Sequence, residues 1–170
     1  NTWCQNHFYE TGKPTIRLNS HINTVRPVQG WRYDPFAATT EGDKITGLGS
    51  NDAGGSVVSL LALFIHFYER NYLPFNLLYS ATAEEEISGE NGITSILSDL
   101  PPIQFAMVGE PTRMEMAIAE KGLLVLDCTA RGKAGHAARE TGENALYKAI
   151  DDIKRLRNYR FEKNSGLLGP

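Results

Sequence analysis

A chain of 170 residues with 41% hydrophobic and 22% charged content can bury the core of one domain or parts of two, which excludes a disordered or fibrous chain. The net charge of −3, with no Lys/Arg cluster interleaved with aromatics, lacks the electrostatic footprint of a nucleic-acid binder, so small molecules are the expected partners. The two cysteines, Cys4 and Cys128, are far apart and outside any Cys-x-x-Cys spacing, which indicates neither a disulfide framework nor a cysteine zinc site.

In chain order, Thr15 to Leu18 is a short β-like run that ends at Asn19-Ser20-His21. From Arg26 to Gly49, prolines, glycines and aromatics such as Pro27, Gly30, Trp31, Pro35 and Phe36 predict a long irregular loop, a feature often tied to function. Gly54-Gly55 opens a helix whose apolar residues Val57, Leu60, Leu61, Phe64 and Ile65 keep helical spacing. Val57 to Tyr68 is the most apolar stretch, yet Ser59 and His66 interrupt it and it falls short of the roughly 20 residues a bilayer span needs. Without a signal-like amino terminus either, no membrane association and a reducing cytoplasmic setting are expected. Phe75 to Ala81 reads as a buried strand, Ile93 to Leu100 as a short helix stopped by Pro101-Pro102, and Phe105 to Val108 as a further strand. Alternating strands and helices imply a parallel α/β sheet.

Near residue 118 the pattern changes. Leu123 to Thr129 predicts a strand, Gly132 to Gly142 a glycine-rich connection, and Ala145, Leu146, Ala149, Ile150, Ile153 and Leu156 one stripe of a helix. The expected organisation is therefore two parts, 1–118 and 119–170, the second being the start of a smaller α+β domain. The sequence reaches Gly169-Pro170 without a returning strand, so that domain is expected to be incomplete.

The polar residues of interest all follow apolar strands, at the carboxyl edge where parallel sheets bind ligands. His21 follows the first strand with Asn23 two residues on, and by itself a lone histidine is more often structural. Asp52 sits in Gly47-Leu48-Gly49-Ser50-Asn51-Asp52-Ala53-Gly54-Gly55, where glycines let the backbone bring a carboxylate close to an ion; an ordinary helix-starting aspartate would look the same. Glu84-Glu85-Glu86 follows a core strand, where crowded negative charge is costly unless a cation neutralises it; elsewhere such a run is simply a solvated helix start. Glu110 stands before Pro111, a position usually left to loops. Together, one histidine and several carboxylates at successive strand ends form a nitrogen-and-oxygen set suited to zinc, with one carboxylate able to bridge two ions.

With these motifs in order, the sequence from about Lys13 onward resembles the co-catalytic zinc amidohydrolase family of aminoacylase, acetylornithine deacetylase and succinyl-diaminopimelate desuccinylase, and within it most nearly the acetylornithine deacetylases. The resemblance implies a partial zinc-peptidase-like catalytic domain, with a mixed, mainly parallel sheet flanked by helices, followed by the start of an α+β lid and dimerisation domain. It implies His21, Asp52, Glu86 and Glu110 as metal ligands with Asp52 bridging, and Glu85 as general base. Gly132-Lys133-Ala134-Gly135-His136-Ala137 is similar to the lid segment whose histidine reaches a substrate carbonyl, so His136 takes that role. Two zinc ions, replaceable by cobalt or manganese, an N-acetyl- or N-succinyl-ornithine-like substrate, arginine biosynthesis and a homodimer through the lid follow as implications of the same resemblance.

Two departures stand out. The family has aspartate where this chain has Asn23, and a neutral amide accepts from the ligand imidazole without raising its basicity. The family's distal zinc-binding histidine belongs to a segment expected after Pro170, so the 170-residue chain alone is expected to turn over little or no substrate. A dipeptidase or carboxypeptidase of the same family and a non-catalytic metal-binding homologue remain open alternatives.

Overall fold

The structure, a computed structural model, describes residues 1–139 and 141–169; Glu140, in the glycine-rich connection, and Pro170 lie outside the described residues. The chain divides into two compact units, Asn1–Glu115 and Met116–Pro170.

In chain order the first unit contains β1 (Thr2–Gln5), β2 (Thr15–His21), β3 (Thr39–Glu41), β4 (Lys44–Thr46), α1 (Gly55–Phe67), β5 (Asn76–Thr82) and β6 (Phe105–Val108). Four of these strands form one sheet in the order β1-β5-β2-β6. β2 runs parallel to β5, with Leu18 opposite Tyr79 and His21 opposite Thr82, and parallel to β6, with Leu18 opposite Met107. β1 pairs antiparallel to β5. The sheet is thus mixed and mainly parallel, as the resemblance implied.

Side chains alternate across a strand. Ile16 and Leu18 of β2 and Leu77, Tyr79 and Ala81 of β5 meet Leu60 and Phe64 of α1, and these residues make the core. On the alternate positions, Arg17 is buried at 4% exposure, its Nε donating to Ser80 Oγ at 2.7 Å and its Nη2 to Asn19 Oδ1 at 2.9 Å. β2 therefore runs further than its apolar residues indicate. Its polar end is held by pairing to β5 and by Ser20 Oγ, which donates to the Gly109 carbonyl at 2.8 Å.

Several expectations are corrected. β1 lies in a terminal segment without a strand signal and forms because β5 offers its free edge. The irregular loop contains a hairpin, β3 with β4, whose two-residue turn places Gly42 at φ 63° in the left-handed region. Ile93–Asp99 winds as a tight 3₁₀ segment that buries Ile96.

In the second unit, α2 (Ala145–Asn158) forms where its stripe predicts, capped by Asn144 Oδ1, which accepts the Leu146 N–H at 2.9 Å. The strand expected over Leu123 to Thr129 is not formed. A strand exists only through hydrogen bonds to a neighbour, and among the described residues of this unit the β pairing is limited to isolated bridges, Lys133 with Glu143 and Ser165 with Gly169. Leu123, Leu124, Val125 and Leu126 are exposed. Among the described residues no helix is long and apolar enough to cross a membrane, and Cys4 and Cys128 are free thiols.

Candidate metal centre

Because β5, β2 and β6 are parallel neighbours, their carboxyl ends and the residues just beyond them come out on one edge of the sheet. His21 ends β2, Glu85 and Glu86 follow β5, and Glu110 follows β6. Asp52 reaches the same edge from the turn Ser50–Gly54 that leads into α1. That turn needs its glycines. Gly49 has φ 73°, and a Cβ there would lie 2.1 Å from Thr24 Cγ2; one on Gly54 would lie 2.7 Å from the Gly49 carbonyl oxygen.

His21 is 2% exposed and fixed at both ring nitrogens. Nδ1 is 2.8 Å from the Asn23 main-chain oxygen. With Nδ1–H donating there, the neutral ring leaves the Nε2 lone pair for a metal. Nε2 faces Asp52 Oδ1 at 3.0 Å, Glu110 Oε2 at 3.6 Å and Glu85 Oε2 at 3.7 Å. Glu86 joins His21 and Asp52 in a group whose ligand atoms all lie within 4.8 Å of one another.

This donor set fits a metal ion. Zinc holds nitrogen and oxygen ligands at about 2.0–2.2 Å, which puts two ligand atoms of a tetrahedron roughly 3.4 Å apart. The contacts of Nε2 with Asp52 at 3.0 Å and with Glu110 at 3.6 Å bracket that edge. The electrostatics agree. Burial opposes a charge on His21, yet the hydrogen bonds to Asn23 and Asp52 and the charges of Glu110 and Glu85 outweigh it and hold its pKa above the ordinary histidine value. Burial, together with the neighbouring carboxylates Glu85, Asp52 and Glu86, pushes Glu110 above the usual range against the pull of His21. Carboxylates crowded around a buried imidazole and partly withdrawn from water favour a cation among them.

The three consecutive glutamates divide. Glu84, at φ 57°, turns its carboxylate to Asn91, accepting from the main-chain N–H at 2.9 Å and from Nδ2 at 3.0 Å. It builds the loop, while Glu85 and Glu86 enter the cluster. Asn23 departs from expectation: its main chain, not its side chain, receives the His21 ring, and its Oδ1 instead accepts the Glu85 N–H at 3.1 Å. The sequence pointed to the position but not to this partner, because nothing in the spacing shows that segments 21–23 and 82–85 run side by side. His136 belongs to the second unit. Its Nδ1 accepts the Ala138 N–H at 3.2 Å, which puts the proton of the neutral ring on Nε2.

The comparisons agree with this chemistry. Residues 17–166 match the family model described as peptidase family M20/M25/M40. A probable succinyl-diaminopimelate desuccinylase of Staphylococcus aureus (strain MRSA252) is 32% identical over 145 residues, covering 80% of this chain and 35% of that relative. A succinyl-diaminopimelate desuccinylase of Acidiphilium cryptum (strain JF-5) is 29% identical over 170 residues, covering 94% of this chain and 45% of the relative. The chain thus spans less than half the length of these curated relatives. Among solved structures, human carnosine dipeptidase 1 superposes with a TM-score of 0.51 at 18% identity, over 64% of this chain and 24% of that one, a likeness of fold. With its family-wide match and a cation-ready cluster at the sheet edge, the chain belongs to peptidase family M20/M25/M40.

Proposed function

We propose that the protein is a metal-dependent amidohydrolase that cleaves the amide bond of a small N-acyl amino acid. The observation that carries this reading is the cluster itself: a buried imidazole with Asp52, Glu85 and Glu110 oxygens within 4 Å of its Nε2, and Glu86 grouped with it. A mainly parallel sheet gathers these groups from separate stretches of chain, which an ordinary solvated acidic surface does not require.

His21, Asp52, Glu86 and Glu110 would hold divalent metal, zinc by donor chemistry, with Asp52 able to serve two ions; cobalt or manganese would substitute. The metal, when bound, supplies Lewis-acid polarisation of the acyl carbonyl and a more acidic water. Glu85, whose carboxylate is half exposed beside the ligands, takes the proton from the attacking water and returns it to the departing amine. His136, whose Nδ1 already accepts the Ala138 N–H, would donate from Nε2 to stabilise the negative charge developing on the carbonyl oxygen. In this reading, 1–118 contributes the catalytic domain and 119–170 belongs to a lid and dimerisation domain.

The desuccinylase relatives favour a succinylated diamino acid, whereas the motif resemblance favours acyl-ornithine and arginine biosynthesis. Both substrates are N-acyl amino acids, and a cytoplasmic homodimer fits either. The deciding experiment combines calorimetric zinc titration of the 170-residue chain with hydrolysis assays of the complete gene product on N-acetyl-ornithine, N-succinyl-ornithine, N-succinyl-diaminopimelate and a dipeptide. Zinc binding with turnover of one acyl amino acid is expected. Zinc binding without any hydrolysis would leave a metal-binding homologue, and cleavage of the dipeptide alone would make the protein a peptidase.

A further inference from the structure

The short turn Glu85–Ile87 has an N-terminal flank that does not cap it. Glu84 precedes the turn, makes no side-chain cap bond to it, and spends its carboxylate on Asn91. The first N–H of the turn, on Glu85, is therefore left to find an acceptor outside its own segment. The acceptor comes from the neighbouring strand end. The β2–β5 ladder continues past its last paired residues through Ile22 N–H to the Thr82 carbonyl at 2.8 Å, which lays Asn23 beside residues 84 and 85. Asn23 Oδ1 then accepts the Glu85 N–H at 3.1 Å. The same residue receives His21 Nδ1 on its main-chain oxygen at 2.8 Å.

From this geometry we propose that Asn23 is a positioning residue for Glu85: its side-chain amide anchors the backbone from which the Glu85 carboxylate is aimed, while its main chain alone orients the His21 ring. The inference rests on the amidohydrolase reading only for the role given to Glu85. It separates two duties that a single position could otherwise confuse. Removing the side chain frees Glu85 but leaves the carbonyl that holds His21, so base placement and metal affinity respond differently.

The test uses Asn23→Ala, Asn23→Asp and the parent sequence. In the 170-residue chain, NMR measures hydrogen exchange at the Glu85 amide and the scalar coupling between Glu85 nitrogen and Asn23 Cγ across the hydrogen bond, and calorimetry measures zinc affinity. In the complete gene product, kcat and KM are measured. Asn23→Ala is expected to speed exchange at the Glu85 amide by about 2- to 10-fold, the loss of one hydrogen bond. Zinc affinity should stay within about 3-fold, and kcat should fall by roughly 10-fold with KM little changed, as a lost positioning contact requires. Asn23→Asp keeps an acceptor oxygen and should restore both Glu85 protection and most of kcat. Absence of the coupling, unchanged Glu85 exchange in Asn23→Ala, or a loss of zinc affinity exceeding the loss of kcat would overturn the proposal. Because exchange and coupling need no turnover, a parent protein that hydrolyses nothing sinks the amidohydrolase reading and the role of Glu85 in it, whereas unchanged exchange sinks the contact with turnover intact.

Discussion

The two units of this chain answer the same kind of sequence differently. In the first, a run such as Asn76 to Thr82 is buried at every position because β1 and β2 flank it and α1 covers one face. In the second, Leu123 to Leu126 is more apolar still, yet it is exposed and unpaired among the described residues, while α2 further along the same unit is fully formed. The difference teaches that a helix closes its hydrogen bonds within its own segment, whereas a strand is a property of its neighbours. The candidate residues divide in the same way, since the cluster of His21, Asp52 and Glu86 belongs wholly to the first unit and His136 to the second.

The largest expected effects test that chemical division. Under the proposed roles, Glu85→Gln in the complete gene product should lower kcat by about 10²–10⁴-fold while zinc content stays near the parent value, as removal of a general base does. Glu86→Gln should instead reduce metal content, so equal losses of metal in both variants would contradict the separate roles. His136→Ala should cost roughly 10²–10³-fold in kcat, the effect of removing an oxyanion donor, with zinc titration of the first-unit cluster unchanged. If His136→Ala weakened zinc binding, the two units would not divide the work as described.

A smaller effect tests the packing contrast. Leu18 is 2% exposed in the core, so Leu18→Ala should lower the unfolding free energy by about 2–5 kcal/mol in urea titration. Leu124, 71% exposed, should tolerate alanine within about 0.5 kcal/mol. Equal costs would show that the second unit packs as tightly as the first.

The smallest effect is the pH dependence of the zinc-free chain. His21 and Glu110 both have pKa values raised above their ordinary ones, so the folded state holds protons more tightly than the unfolded state. Their contributions are fully present below the unfolded values, about 4.3 for glutamate and about 6.5 for histidine, and are lost as pH rises through the higher folded values. The urea midpoint should therefore fall between pH 5 and pH 8, and saturating zinc should reverse the trend. A zinc-free midpoint that rises over this range would mean that the carboxylate cluster is not crowded in the folded chain.

The placement of the candidate cluster is largely legible in the sequence. His21, Asp52, Glu86 and Glu110 each follow a strand or a glycine turn, and that placement alone predicts a shared edge once the strands are parallel. Less legible was the split within Glu84-Glu85-Glu86, because identical side chains are told apart only by the left-handed backbone of Glu84 that sends one of them to Asn91. Equally hidden was the short strand β1, whose residues lack alternation and gain their pairing from the edge of β5.

By itself, the sequence determined what is local: the helices α1 and α2, the glycine turn carrying Asp52, and the residue types able to hold a cation. Tertiary structure decided what depends on partners distant in the chain: the order β1-β5-β2-β6, the hairpin within the long loop, and the pairing of Asn23 with Glu85 across 62 positions. The physical reason is the same in each case. Periodicity and turn chemistry act over a few residues, but a hydrogen bond between strands, or between a side chain and a distant N–H, exists only after the fold has brought its two ends together.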